Sequence, residues 1–211
     1  MSPFLIAIIA ANAVLTYKGL EDTAFFNKYK FDIRQIKAGE KHRFFTSAFL
    51  HADWMHFGFN MLTLFFFAPI VISYFGPLYF LIIYFVSLVL GNVFSYQINK
   101  DNNFYTAIGA SGAVTGILYS AILMVPDQNL YLFFAIPIPA YLFGIGYLFY
   151  SIYGMKAQRD NIGHEAHFGG AVGGYLITLA LMPSLFLSET FFVAALFIPI
   201  VVLFFVVRNK K

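Results

Sequence analysis

The sequence predicts an all-α, polytopic membrane bundle, and three observations carry that prediction. Hydrophobic residues make up 60% of the 211 and charged residues only 11%, against the roughly 25% charged content of soluble domains. Charge-free runs long enough for membrane-spanning helices recur from one end of the chain to the other. The 13 lysines and arginines are confined to the segments between those runs and to the basic tail, with the densest group between residues 18 and 43.

Each span follows from a charge-free run. Residues 3 to 17 form the first. With no basic flank before it and no clear cleavage signal after it, this run reads as a retained helix and not a signal peptide. The run from Trp54 to Asn99 is 46 residues long, more than the ~20 that one crossing needs. Phe75-Gly76-Pro77 supplies the break, because Gly ends helices and Pro starts them, so two helices are expected at 56 to 74 and 78 to 98. The remaining runs place spans at 111 to 125, 130 to 153, 166 to 183 and 190 to 207. The first and fourth are short: at about 1.5 Å per residue each covers ~22 Å of a ~30 Å hydrocarbon core. That calls for a thinned bilayer, a start below the membrane surface, or ends lying further out. Residues 18 to 55 are the long polar connection, with seven Lys or Arg and eight aromatic residues from Phe25 to Trp54. Basic and aromatic residues together favour the headgroup zone, so this loop is expected to lie half-sunk in the interface. No internal repeat or second domain is visible, and one bundle accounts for the chain.

Composition also excludes function classes. A net charge of +3 without a basic stripe argues against a nucleic-acid partner. The absence of cysteine removes disulfides, thiolate metal sites and a cysteine nucleophile. No Asp, Glu, Lys or Arg falls within a predicted span, so a transporter would have no ionisable coupling path beyond its histidines.

Against that apolar background a few polar residues stand out, and such residues in spans mark functional sites by default. Ser111 lies in Gly109-Ala110-Ser111-Gly112 at the start of the fourth span. Gly112 and Gly116 are four apart, the spacing that lets membrane helices approach closely. Gly170 and Gly174 repeat it on the sixth span, on the face carrying His167. If the two small faces meet, Ser111 and His167 come within hydrogen-bonding reach. A serine hydroxyl becomes a competent nucleophile when a neighbouring base accepts its proton, and imidazole is suited to that. Gly-x-Ser-x-Gly, the soluble hydrolase elbow, is ruled out by Ala113. Glu165 points away from the face of His167 and Asp160 lies in a loop, so a two-residue dyad is expected. His56 and Asn60, four apart at the start of the second span, share a face and can donate hydrogen bonds to an oxyanion. The backbone N–H of Ser111, unpartnered at a helix start and at the positive end of the dipole, is a third donor.

Together these motifs resemble the rhomboid intramembrane serine proteases: His51-x4-His56-x3-Asn60, Gly109-Ala110-Ser111-Gly112 and Ala166-His167-x2-Gly170-x3-Gly174 occur in that family's order. Arg43-Phe44-Phe45-Thr46 resembles the basic end of its Trp-Arg loop motif. The resemblance implies a core over residues 1 to 183 and an additional C-terminal helix over 184 to 211, the six-plus-one arrangement. It implies Ser111 as nucleophile, His167 as base and acid, and His56, Asn60 and Ser111 as oxyanion donors. Gly109 and Ala110 would shape the loop before the serine, and His51 would join a polar, water-holding cluster. Two positions depart from the pattern. His42 stands where Trp is common, and Thr115 stands where some members place a Tyr against the catalytic His. His167 is therefore expected to be held more loosely, or by an aromatic residue from elsewhere in the chain.

The implied activity is peptide-bond hydrolysis in or near transmembrane segments, with transmembrane proteins and the lipid bilayer as partners and no cofactor. A rhomboid-like protein that escorts helices without cleaving them is the alternative. A metalloprotease reading of His164-Glu165-Ala166-His167 fails on spacing, because the zinc signature has its histidines four apart. The family's orientation would put all 13 Lys and Arg on the outer side of a bacterial cytoplasmic membrane with the active site, against the positive-inside tendency.

Overall fold

The computed structural model describes residues 1–132, 135–157 and 162–208. Helix α1, Pro3–Glu21, opens on a proline in its first turn, where a missing N–H costs nothing. The polar connection that follows is folded. Asp22 caps α2 (Thr23–Tyr29) by accepting from the Phe25 N–H, and Asp32 caps α3 (Ile33–Lys37) by accepting from the Gln35 N–H. Between them lies strand β1, Phe31–Asp32, and after them α4, Arg43–Thr46, and a 3-10 turn at Ser47–Phe49. Phe31, Ile33 and Ile36 are fully buried under Phe44, Tyr96 and Tyr105.

Asp53 then caps the long helix α5, Trp54–Asn99. It is two limbs, because Gly76 sits at φ 81, a conformation open mainly to glycine; the break predicted at Phe75-Gly76-Pro77 is where it was expected. Strand β2, Thr106–Ala107, pairs antiparallel with β1, Phe31 opposite Ala107, and so ties the polar connection to the loop before α6. Helix α6, Ser111–Met124, is central: every residue from Gly112 to Met124 is buried.

The fifth predicted span needs correction at its start. Instead of a helix from 130, strands β3 (Asn129–Leu132) and β4 (Ile136–Pro139) pair as an antiparallel hairpin, and α7 begins only at Ala140 and runs to Ala157. The reason is local. Pro137 and Pro139 remove backbone donors and push the residues before them, Ile136 and Ile138, to extended backbone. Helix α8, His164–Leu181, is followed by the short α9, Leu185–Ser188, and by α10, Thr190–Arg208.

Packing centres on α6. On one side Leu5, Leu64, Phe80, Tyr84 and Ile117 join α1 and α5 to it; on the other Tyr119, Leu123, Leu148, Tyr175 and Leu196 join it to α7, α8 and α10. Glycines set the closest approaches. A Cβ on Gly170 or Gly174 would overlap the backbone of Gly112 or Gly116 on α6. On the adjacent stripe of α8, a Cβ on Gly169 would lie 2.9 Å from Cα of Gly91 in the second limb of α5. α8 is thus wedged between α5 and α6 at backbone contact. The outer faces carry bulky apolar groups such as Phe65, Phe66, Leu78, Leu142 and Leu176, as a lipid-facing surface requires. By length and composition α1 and α5 qualify as membrane-crossing helices, and α6 and residues 190–203 are shorter apolar helices.

Candidate active site

Ser111 is the first residue of α6, and the loop that presents it is pinned on both sides. The Gly109 N–H donates to the Ser47 carbonyl (3.0 Å), and the Ala110 N–H donates to Nε2 of His51 (3.4 Å). Gly109 has φ 116, and a Cβ there would meet the His56 ring at 2.8 Å; both the backbone angle and the space require glycine. The same point is 3.8 Å from Ser111 Oγ, so the His56 ring and the serine hydroxyl flank Gly109 as close neighbours.

His51 is 1% exposed. Thr16 donates to the Phe49 carbonyl (3.3 Å). The proton between Thr16 Oγ1 and His51 Nδ1 (2.8 Å) therefore belongs to the ring, which leaves Nε2 to accept from Ala110. His51 is a clamp joining α1 to the loop before the serine. Burial, with a further push from His56, pulls its pKa down to about 3, against the opposing attraction of Asp53. A neutral ring fits a clamp that must both donate and accept.

His56 and Asn60 enter from the first turns of α5. The Asp53 carboxylate accepts from the His56 N–H (2.7 Å), which fixes the helix start and so the direction of both side chains. The Ala52 N–H lies 3.5 Å from His56 Nδ1, placing the ring's proton on Nε2, on the Gly109 side. One hydrogen of the Asn60 amide goes to the His56 carbonyl (2.9 Å); its Nδ2 carries two.

His167, on the first turn of α8, is held by a residue that sequence reasoning missed. Tyr147 of α7 stacks on it, ring centroids 5.9 Å apart and planes 20° apart, with its hydroxyl 2.9 Å from Nδ1. Thr115 Oγ1 lies 3.5 Å from the same hydroxyl and donates to the Ser111 carbonyl (2.7 Å). The aromatic support absent at position 115 thus arrives from a different helix. In sequence Tyr147 is one of five tyrosines between 131 and 153, and nothing in spacing singles it out.

Ser111, His167, His56, Asn60, Thr115 and Tyr147 line one open cavity of about 910 Å³. Gly170 and Gly174 lie behind it, at the α6 contact. Arg43 lies outside it: 4% exposed, it donates to the carbonyls of Asn27 (2.9 Å) and Lys30 (2.7 Å) and pairs with Glu40 (2.7 Å), which staples the polar connection into its folded form. Glu165 turns away from His167 and accepts from the Tyr105 hydroxyl (3.3 Å). Burial, with Glu165 adding to it, holds that phenol well above its ordinary pKa. Asp160 lies outside the described residues. Among the described residues no three His, Asp or Glu side chains converge in a way that could hold a metal ion.

Comparison with known proteins assigns the family. Residues 38–184 match the model of the Rhomboid domain. The chain belongs to the rhomboid family. Within it, the chain is 31% identical over 185 residues to the mitochondrial RHOMBOID-like protein 12 of Arabidopsis thaliana, covering 79% of this chain and 55% of that one. It is 30% identical over 150 residues to the putative rhomboid protease YdcA of Bacillus subtilis, covering 68% of each. It is also 30% identical over 150 residues to the rhomboid protease GluP of the same organism, covering 69% of this chain and 27% of that one. The chain thus spans only about half the length of the Arabidopsis relative. Family membership makes it a membrane protein, in keeping with its composition and apolar helices.

Proposed function

We propose that this rhomboid is an intramembrane serine endopeptidase that cleaves peptide bonds in or near the transmembrane segments of other proteins. One observation carries the reading: α6 and α8 touch through glycine faces, and the two residues at their starts, Ser111 and His167, line the same cavity as His56 and Asn60. In this scheme Ser111 attacks the scissile carbonyl while His167 takes its proton, then returns it to the leaving amine; water activated by His167 hydrolyses the acyl-enzyme. His56, Asn60 and the Ser111 N–H receive the oxyanion. Arg43 keeps the polar connection in place, and no cofactor enters. The reading includes a six-plus-one arrangement, with α10 as the added helix and the site facing the outer side of a bacterial cytoplasmic membrane. Water and the peptide bond must meet in the cavity, since hydrocarbon admits neither an unpaired backbone nor bulk water. Substrates must unwind locally, which favours Gly, Pro or other helix-weakening residues near the cut.

The test is reconstitution with a generic transmembrane substrate, comparing wild type, Ser111→Ala and His167→Ala with and without chelator. Cleavage by wild type alone, indifferent to chelator, is the expected result. Cleavage that survives Ser111→Ala removes the serine mechanism. A folded wild type inert across many substrates transfers the chain to the helix-escort class.

A further inference from the structure

We infer that the groove between the end of α1 and the folded polar connection is a binding slot for one acyl chain of an anionic phospholipid, whose phosphate is held by Lys18 and Lys28. The binding is independent of the protease reading above; its effect on cleavage rests on that reading.

The groove is apolar and narrow. Leu15 of α1, Phe25 and Tyr29 of α2, and Phe45, Phe49 and Leu50 of the segment before α5 enclose about 310 Å³, and no charged residue lines it. Thr46 completes the wall, with its hydroxyl spent on the Tyr29 carbonyl (2.8 Å). A polar ligand gains little in such a place. A helix does not fit, because one turn ~10 Å across and 5.4 Å long takes roughly 400 Å³. Ten or so methylene groups, each near the ~30 Å³ of a water molecule, do fit.

The rim supplies the headgroup contacts. Lys18 Nζ lies 4.5 Å from the centre of the Phe25 ring and Lys28 Nζ 5.5 Å from that of Tyr29. Those two rings are 4.6 Å apart, so two cations are held over adjoining rings of the groove wall. Both lysines are exposed, and among the described residues neither is paired with a carboxylate. The order along α1 suits a lipid. Leu15 precedes Lys18 by three residues, about 4.5 Å further from the end of the helix, so the apolar floor lies deeper in the bilayer than the charged rim. A phosphate at the rim, with its chain following Leu15 inward, has the orientation of a phospholipid in the surrounding leaflet. Lysines near the membrane surface favour anionic headgroups, and a zwitterionic headgroup brings an ammonium of its own.

The same wall is the scaffold of the serine loop. Ser47, between the lining residues Thr46 and Phe49, accepts at its carbonyl from the Gly109 N–H (3.0 Å). The Phe49 carbonyl accepts from Thr16 (3.3 Å), the residue that also meets His51. A chain packed between Leu15 and Phe49 holds this segment against α1, so occupancy steadies the backbone that presents Ser111.

The experiment uses the full chain. Native mass spectrometry in detergent measures binding of dioleoyl phosphatidylglycerol and dioleoyl phosphatidylcholine. Wild type should hold the anionic lipid roughly tenfold more tightly, as two lysines near a headgroup imply. Lys18→Ala with Lys28→Ala should bring the two lipids within about twofold at an unchanged melting temperature, and Lys18→Arg with Lys28→Arg should keep the preference. Leu15→Trp, which fills the floor, should weaken phosphatidylglycerol about tenfold; the exposed lysine pair keeps the test valid if that variant does not fold. Glycerol phosphate should not displace the lipid. Equal affinity for both lipids in wild type, a preference that survives the alanine pair, or displacement by glycerol phosphate, which would mark a free-phosphate site, overturns the inference. Cleavage of a transmembrane substrate is then compared in phosphatidylcholine vesicles with and without phosphatidylglycerol. The anionic lipid should raise the wild-type rate about threefold and leave the alanine pair unmoved; an equal response in both overturns the coupling. No cleavage in either vesicle, with phosphatidylglycerol still bound, instead removes the protease reading and leaves the lipid site standing.

Discussion

Replacing Gly170 by alanine tests the contact on which the whole site depends. A Cβ at this position would sit 2.7 Å from the carbonyl carbon of Gly112 and closer still to its oxygen. Ordinary contact begins at 3.4 Å. The obstacle is backbone, so no rotamer relieves it, and α8 must retreat from α6 by roughly 1 Å. Inserting a methyl into a full interface costs about 1–3 kcal/mol of stability. The catalytic effect should be larger in proportion, since a displacement of about 1 Å between reacting groups can cost ~100-fold in rate. Gly146→Ala on α7 is the control, because a Cβ there meets nothing within 4 Å. Cleavage rates in vesicles and thermal melting in detergent, measured side by side, check both magnitudes. Gly170→Ala with wild-type rate and melting temperature would refute the reasoning, since it would mean that the faces of α6 and α8 do not meet as described.

Three further outcomes are expected. Asn60→Ala should lower kcat roughly a hundredfold, about 3 kcal/mol of lost oxyanion stabilisation, with little change in substrate affinity; an unaltered kcat removes Asn60 from the oxyanion hole. Gly109→Ala meets both a φ of 116 and the His56 ring, so about 1–3 kcal/mol of strain should appear as a lower melting temperature together with reduced labelling of Ser111, and retention of both would argue against the tight loop. The His51 clamp makes stability depend on pH. Its pKa is about 3 in the folded protein against 6.5 unfolded, so its contribution is complete above pH ~6.5 and falls away as pH drops toward ~3, at up to ~1.4 kcal/mol per unit. Melting temperatures of wild type and His51→Asn between pH 7.5 and 5 should converge on the acid side, and parallel curves would contradict the clamp.

The outline of the fold was legible because hydrocarbon leaves the backbone few choices. Charge-free runs, with the Phe75-Gly76-Pro77 break, located the helices to within a few residues, except where Pro137 and Pro139 turned a continuous apolar run into the hairpin before α7. Hydropathy is blind there, since strand and helix are equally apolar and only the proline pattern separates them. The folding of residues 18 to 55 was likewise hidden. Its helices depend on Asp22 and Asp32 caps and its strand on a partner in the loop before Ser111. Of the site, Ser111, His167, His56 and Asn60 could be singled out because polar groups in apolar spans are costly and therefore informative. Tyr147 carried no such signal, because a tyrosine is common at membrane interfaces and its hydroxyl gains meaning only from what it faces.

Taken alone, the order of residues determined which groups are dear to bury and which stretches are small enough to touch, because transfer energies and glycine's missing side chain are local properties. Only the tertiary structure decided that Tyr147 reaches His167 from α7, that His51 clamps Ala110 to α1, and that α8 presents two glycine stripes to two different neighbours. Those are relations between distant segments, set by how the helices wedge together, and no period or spacing within one segment encodes them.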